Sequence, residues 1–233
     1  MKFITFSGPP SCGKTSVILR LGEVLKESFG VVKFDCFTSF DSRIYDKAGI
    51  PNQTGISGTL CPDHFFVSNI DACLKWGERN RLLLLISESA GLCNRCSPHI
   101  QNIPAVCVID VLSGVGAPQK IGPMLKLADI VVITKGDLVS QAEREVFALH
   151  TIRANPRAEI YAVNGLTGQG IFALAAALKR RCVPVGAEPL RLRFSMPAAI
   201  CSYCFGETQV GSRYSTGTIK QMRFTDQDQG ERL

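Results

Sequence analysis

Near its amino terminus the chain reads Gly8-Pro9-Pro10-Ser11-Cys12-Gly13-Lys14-Thr15, the spacing G-x-x-x-x-G-K-[ST]. Lys2-Phe3-Ile4-Thr5-Phe6-Ser7 before it alternates and branches like a strand. Ser16 to Leu25 after it carries apolar residues at helical spacing. A strand, a glycine loop and a helix in that order form a phosphate-binding unit. The glycines let backbone N–H groups curl around a polyphosphate, and the helix N-terminus adds the positive end of its dipole. Gly8, Ser11, Cys12, Gly13, Lys14, Thr15 and Ser16 are therefore the candidate phosphate contacts. Lys14 is expected at the β- and γ-phosphates, and the Thr15 hydroxyl on Mg²⁺.

The rest of the chain suits that unit. Arg81–Ser87, Pro104–Asp110 and Asp129–Thr134 are nearly continuous apolar runs, as in parallel strands buried on both faces. Val31–Cys36 reads as a second strand and Glu159–Val163 as the last. Helices are expected over Asp41–Ala48, His64–Arg79, Ile121–Leu127, Gln141–Ala154 and Ile171–Arg181. Residues 52–60, rich in Gly, Ser and Thr, read as a mobile loop. The alternation predicts an α/β fold of the P-loop NTPase type, with a mostly parallel sheet and helices on both faces. Ligands in such sheets bind beyond the carboxyl ends of the strands. We expect one nucleotide-binding domain over residues 1–182. A small cysteine-containing extension is expected over 183–233, where Leu190–Phe194 alternates like a strand.

At 233 residues, with 45% apolar and 20% charged residues, the chain has enough apolar surface for a normal core. No apolar run reaches membrane-spanning length. No leader precedes the first strand, so a cytoplasmic protein is expected. The net charge of +6 is spread along the chain, so nucleic acid is not the expected partner. Ten cysteines in such a protein argue for metal chemistry rather than disulfides. Cys36, Cys73 and Cys107 read as small core residues. Cys61, Cys93, Cys96, Cys201 and Cys204 stand in polar, turn-like contexts.

Thr134-Lys135-Gly136-Asp137 ends a central strand and fits [NT]-K-x-D, the element that selects guanine. The aspartate carboxylate accepts from guanine N1–H and the 2-amino group. Adenine offers neither donor there, and leaving the acceptor unpaired costs about 1–3 kcal/mol. Asn164 and Leu166, after the next strand, are positioned to close over the base. Asp35 and Glu88, at strand ends, are the candidate Mg²⁺ carboxylates, and Asp41 is a candidate for orienting the attacking water. Lys14, Asp35, Asp41 and Glu88 thus form the candidate catalytic set.

Together these residues resemble the nickel-chaperone GTPases, the UreG, HypB and CobW-type proteins, over roughly residues 1–180. Asp35-Cys36-Phe37-Thr38-Ser39-Phe40-Asp41 is similar to the UreG stretch D-I-Y-T-x-x-D. Ser87-Glu88-Ser89-Ala90-Gly91 is similar to I-E-S-G-G, Val108–Val111 to V-I-D-V, and Ile133–Leu138 to I-N-K-x-D-L. The resemblance implies GTP and Mg²⁺ at the nucleotide site. It also implies a nucleotide-dependent homodimer and a client metalloenzyme or its accessory proteins as partners. Gly58-Thr59-Leu60-Cys61-Pro62-Asp63-His64 resembles G-G-C-P-H, whose Cys and His bind nickel across the dimer. Here Asp63 intervenes between proline and histidine. A thiolate with an imidazole suits Ni²⁺ or Zn²⁺.

Cys93-Asn94-Arg95-Cys96 and Cys201-Ser202-Tyr203-Cys204 have no counterpart in that resemblance. Each is a C-x-x-C. The two could combine as a four-thiolate site for zinc or an iron–sulfur cluster, or each could meet its symmetry mate. Two functions follow as expectations. One is a GTP-hydrolysing metallochaperone or metallocentre-maturation factor. The alternative is a nucleotide-gated iron–sulfur protein that donates electrons to, or activates, a partner enzyme. Thr134–Asp137 argues against a third, a small-molecule kinase.

Overall fold

Strands that are apolar on both sides have to be covered on both sides, and that requirement sets the layers of this chain. The computed structural model describes residues 1–37, 41–92, 97–186, 188–195, 208–214 and 220–224, with the side chain of Asp41 outside that description. The elements are β1 (Lys2–Ser7), α1 (Lys14–Val24), β2 (Phe29–Asp35), α2 (Asp41–Lys47), β3 (Asn52–Ile56), α3 (Pro62–Arg79), β4 (Leu84–Glu88), β5 (Ala105–Asp110), α4 (Ala117–Lys120), α5 (Pro123–Lys126), β6 (Ile130–Thr134), α6 (Gln141–Ala154), β7 (Glu159–Ala162) and α7 (Ile171–Arg181). They form one seven-stranded sheet in the order β3-β2-β4-β1-β5-β6-β7. Every strand pair is parallel. β1 lies between β4 and β5, the point where the strand order reverses and where such sheets bind ligands.

Alternate residues of each strand feed opposite core layers. Ile4, Phe6, Val31, Ile86, Val108 and Val132 pack with Val17, Ile18 and Leu21 of α1, Tyr45 of α2 and Leu174 of α7. On the other face Phe3, Val32, Phe34 and Leu85 meet Phe65, Phe66, Ile70 and Trp76 of α3. Further along that face Cys107, Ile109, Val131 and Ile133 meet Ile121, Met124, Leu125 and Phe147. No helix among the described residues is long and apolar enough to cross a membrane.

Three expectations are corrected. Residues 52–56, read as a mobile loop, are the edge strand β3. Gln53 and Gly55 face inward there, so the strand lacks the apolar alternation that marks the others. A Cβ on Gly55 would stand 2.7 Å from the Phe65 ring, so the ring fills the space a side chain would take. The helix expected over Ile121–Leu127 is a single turn, α5, which Pro123 starts; the turn before it, α4, already ends at Lys120. Leu190–Phe194 forms no strand. It makes isolated bridges, Ile100 with Leu192 and Arg191 with Gln209.

The segment beyond residue 183 contributes to the core. Leu192, Val210 and Met222 are buried in the layer over α3, and Phe224 stacks on Trp76 at 6.3 Å between ring centroids. Arg193 fastens it. Its guanidinium forks onto both carboxylate oxygens of Asp129 at 2.7 and 2.8 Å and donates to the carbonyls of Ile100, Ile103 and Leu127. Arg193 hydrogen bonds hold the Asp129 carboxyl below its usual range, overcoming the burial that would raise it.

His99 plugs the polar stretch of β1. Its Nε2–H donates to the Met124 carbonyl at 3.0 Å, with Ser7 Oγ 3.1 Å from the same nitrogen, and its Nδ1 accepts from the Thr5 hydroxyl at 3.0 Å. The carbonyl fixes the neutral tautomer. Burial, with Arg193 nearby, pushes the imidazole down to about 4.

Removing one partner of a half-buried, fully bonded ion pair strands the other. Arg193→Ala is expected to cost about 3 kcal/mol in urea unfolding, and Arg193→Lys most of that, since an ammonium cannot reproduce the fork. A cost below about 0.5 kcal/mol would mean that other contacts hold the segment.

The unfolded chain protonates His99 near pH 6.5, whereas the folded chain does so only at about 4. Between those values the unfolded state binds the extra proton, so stability falls as pH drops through that window, by about 3 kcal/mol from this group. Asp63, whose folded carboxyl is raised to about 7, acts in the opposite sense over the same range. The contribution of His99 is therefore read as the difference from His99→Gln in unfolding measured at pH 7, 5.5 and 4.5. Parallel stability–pH curves for the two proteins would refute it.

Candidate functional site

The loop between β1 and α1 has the backbone expected of a phosphate cradle. Gly8 has φ +145° and Gly13, the N-cap of α1, φ +94°, while Ser11 sits in the left-handed region at φ +60°. Gly8 is required by close approach: a Cβ there would lie 2.0 Å from the Val108 carbonyl oxygen of β5. Lys14 folds back over the loop and donates to the carbonyls of Gly8 and Pro9, each at 2.8 Å. Cys12 is fully buried beneath the loop, its thiol pushed up by burial. Thr134 donates its hydroxyl to the Cys12 carbonyl at 2.6 Å, and Lys135 donates to the Ser11 carbonyl at 2.7 Å. The guanine-type element thus also holds the loop. Lys135 lies 3.6 Å from Asp110 at the end of β5, a carboxylate given no role in the sequence reading.

Glu88 gathers the phosphate end. It is buried at the end of β4, the fourth strand rather than the third now that β3 is in the sheet. Thr15 donates to its Oε1 at 2.6 Å, Lys33 to the same oxygen at 3.2 Å, and Tyr45 to its Oε2 at 2.7 Å. Asp35, at the end of β2, accepts from the Cys36 N–H at 2.9 Å. Thr15, Lys33, Asp35 and Glu88 border one cavity of about 520 Å³, with Ser11, Gly13, Lys14, Ser16, Ser89 and Leu92 also on its wall. Asp41 is the first residue of α2.

The donors offered to a metal here, the Thr15 hydroxyl with the Asp35 and Glu88 carboxylates, are all oxygen, which suits Mg²⁺. The Ser89 hydroxyl beside them is buried and finds no partner among the described residues. An orphaned buried hydroxyl on the cavity wall is the feature expected where a ligand oxygen or metal-bound water completes the site. The residues fit a Mg²⁺–triphosphate.

The segment after Glu88 is anchored to the same loop. Ser89 N–H donates to the Phe6 carbonyl at 3.0 Å. Gly91, at φ +73°, lies so close that a Cβ would stand 1.6 Å from the Gly8 carbonyl oxygen, so only glycine fits.

At the base end, Asp137 is exposed on a turn after β6. Asn164 caps the next turn by accepting from the N–H groups of Leu166 and Thr167 at 2.8 and 3.0 Å. That turn is bound to α1 through Arg20, which donates to the carbonyls of Gly165 and Leu166. Gly165 abuts Ser16, where a Cβ would lie 2.8 Å from Ser16 Cβ.

At the soft-ligand end, Cys61 is the half-buried N-cap of α3 and His64 lies buried in its first turn. Asp63 between them is buried, and burial together with the neighbouring Cys61 raises its carboxyl to about 7, with Lys14 opposing. Cys36 corrects an expectation. It is not a core residue like Cys73 and Cys107 but sits half-buried just past β2. Its thiol is raised mainly by burial, with Asp35, Cys61 and Asp63 adding negative charge nearby. Backbone bonds tie the two ends together: Ser57 N–H donates to the Asp35 carbonyl at 2.9 Å and Gly58 N–H to the Cys36 carbonyl at 2.7 Å. Among the described residues no group of three or more His, Cys, Asp or Glu side chains is arranged to hold a metal ion. Cys93, Cys96, Cys201 and Cys204 lie outside the described residues.

Lys33, Tyr45, Ser89 and Asp110 were missed by the sequence reading. Lys33 had left a signal, a lone charge in the apolar run Val31-Val32-Lys33-Phe34. Ser89 and Asp110 lay inside the stretches similar to I-E-S-G-G and V-I-D-V but were given no role, and Tyr45 left no signal that distinguishes it from an ordinary helix residue.

Comparison with known proteins agrees with this geometry. An uncharacterized protein of Methanocaldococcus jannaschii, MJ0120, is 43% identical over 225 residues, covering 95% of this chain and 96% of that one. Urease accessory protein UreG 1 of Saccharopolyspora erythraea is 30% identical over 145 residues, 58% of each chain. Two solved hydrogenase maturation factors share the fold. HypB of Archaeoglobus fulgidus aligns with TM-score 0.59 and 21% identity over 76% of this chain and 88% of that one. HypB of Helicobacter pylori in complex with nickel aligns with TM-score 0.60 and 19% identity over 77% and 86%. The model of the CobW/HypB/UreG nucleotide-binding domain matches residues 2–162, well over half of the sequence, and the chain belongs to that family.

Proposed function

We propose that the chain hydrolyses GTP to control the uptake and delivery of a soft metal ion, nickel or zinc, in the maturation of a client metalloenzyme. The observation that carries this reading is the junction between the two ends of the site. Asp35, a candidate Mg²⁺ carboxylate, and Cys36 are bonded through their carbonyls to Ser57 and Gly58. Cys61 follows three residues later on the same loop. Whatever moves the end of β2 moves the thiol loop.

Thr15 and Asp35 would hold Mg²⁺, with Glu88 reaching it through the Thr15 hydroxyl or a water. Mg²⁺ there neutralises phosphate charge and fixes its geometry. Lys14 exchanges the Gly8 and Pro9 carbonyls for phosphate oxygens. Asp41 orients the water that attacks the γ-phosphorus. Lys135 and Asp137 choose guanine, and Asn164 and Leu166 close over it. Cys61 and His64 offer the thiolate and imidazole for nickel or zinc, with Cys36 as a nearby third donor. Ile44 and Leu92 expose apolar surface on the cavity wall, and Phe37 is exposed two residues beyond Asp35, which supports closure by a second copy when nucleotide is bound. The UreG relative and the nickel-bound HypB structure support the metal assignment.

Calorimetric titration with Mg²⁺ is expected to show GTP bound well ahead of ATP. Asp137→Ala should weaken GTP about 30-fold or more and leave ATP unchanged, since it removes a charge-assisted pair of hydrogen bonds. Equal affinities for the two nucleotides would remove the guanine assignment.

For the metal, nickel and zinc binding to the nucleotide-free, GDP-bound and GTP-analogue-bound protein should differ by about tenfold, a coupling of about 1.4 kcal/mol. Cys61→Ala should abolish the difference. Metal bound identically in all three forms, with unchanged stoichiometry in Cys61→Ala, would end the coupling reading.

A further inference from the structure

Lys33 is the unexplained charge of the phosphate end. It belongs to β2 and is the direct cross-strand partner of Glu88 on β4. Its ammonium stands 3.2 Å from Glu88 Oε1, and the side chains are 8% and 1% exposed. That oxygen is the one that takes the Thr15 hydroxyl. Alternation along β2 puts Asp35, two residues on, on the same face, and Lys33 and Asp35 both border the cavity with Lys14, Thr15 and Ser89. A second lysine therefore stands among the groups expected to meet Mg²⁺ and phosphate.

Burying an ammonium is costly, and a neutral donor would satisfy one carboxylate oxygen as well. Glu88 already draws neutral hydrogen bonds from Thr15 and Tyr45. What Lys33 adds is positive charge at the cavity wall. The orphaned hydroxyl of Ser89 indicates that a ligand oxygen completes this same corner.

We propose that Lys33 is a built-in cation of the triphosphate site. Resting on the nucleotide reading above, it goes further: the chain carries part of the positive charge that a divalent ion otherwise supplies. With no metal present, the ammonium balances Glu88 and attracts the terminal phosphates. With metal present, it competes for Glu88 and holds the gain from Mg²⁺ down. Both effects reduce the dependence of triphosphate binding on Mg²⁺.

The test is the ratio of the dissociation constants of a non-hydrolysable GTP analogue in EDTA and in Mg²⁺, measured by calorimetry. In the unaltered chain the ratio is expected to stay within about tenfold; the field of a unit charge several ångströms away supports a difference of that order. Lys33→Met should raise the ratio about tenfold further, while Lys33→Arg, which keeps the charge, restores it. A ratio near a thousandfold in the unaltered chain overturns the proposal without any variant, so it stands or falls even if Lys33→Met does not fold. Equal ratios for folded Lys33→Met and the unaltered chain overturn it too. Binding that is strong with Mg²⁺ but shows the large ratio spares the nucleotide reading and removes only the role of Lys33. No binding with Mg²⁺ removes both.

Discussion

The carboxylate of Glu88 is the point on which the nucleotide end is assembled. It ends the strand beside β1 and takes donors from α1, β2 and α2, namely Thr15, Lys33 and Tyr45. Four elements are registered by one buried anion. A buried carboxylate is tolerated only when its oxygens are satisfied, so the donors are as constrained as the acceptor. Lys33, the fifth residue of β2, is one of those donors. The same demand explains why the helix after β2, whose first residue is Asp41, lies against the phosphate end: the Tyr45 hydroxyl pulls it there.

A second anion plays the corresponding part at the far end of the sheet. Asp129 receives the fork of Arg193 and the N–H of Ala105, joining the carboxy-terminal segment to the start of β5. Arg193 also donates to the carbonyls of Ile100, Ile103 and Leu127. The imidazole of His99 stays neutral between β1 and Met124, partly because this guanidinium is near. His99 follows closely on the stretch that begins at Glu88 and passes Gly91. Its clamp on Thr5 and Ser7 fixes where that stretch returns to the sheet.

The sheet was legible wherever burial on both faces wrote an apolar run into the sequence, as in β1, β4, β5 and β6. The edge strand β3 was not. Its inward positions are Gln53 and Gly55, and the apolar groups that fill its face come from Phe65 and Met222. A strand whose neighbours supply its hydrophobic surface carries no periodicity of its own. The phosphate loop was readable because its chemistry demands particular residues at fixed spacing. Lys14 and Thr15 of that loop share one cavity with the strand-end carboxylates Asp35 and Glu88. Cys36 was misread because a cysteine one residue past a strand looks the same as one inside it. Only the paired loop at Ser57 and Gly58 shows that the chain has already left the core there.

In the proposed function, the two ends of the site would respond to nucleotide through different mechanical links. Thr134 and Lys135, the candidate base-reading element, bond to the backbone of the phosphate loop itself, so the proposed guanine recognition and the shape of the loop would be linked. At the phosphate end the contacts lie on chain that continues outward. Gly91 touches the Gly8 carbonyl with no room for a side chain, and the Asp35–Cys36 carbonyls hold the loop that leads to Cys61. Strands ordered on both faces do not adjust by small amounts, because dense packing resists graded deformation. In the proposed function, a change in charge at the γ-phosphate would therefore be passed on by the segments that leave the strand ends, and in the sequence each of those segments runs toward a cysteine.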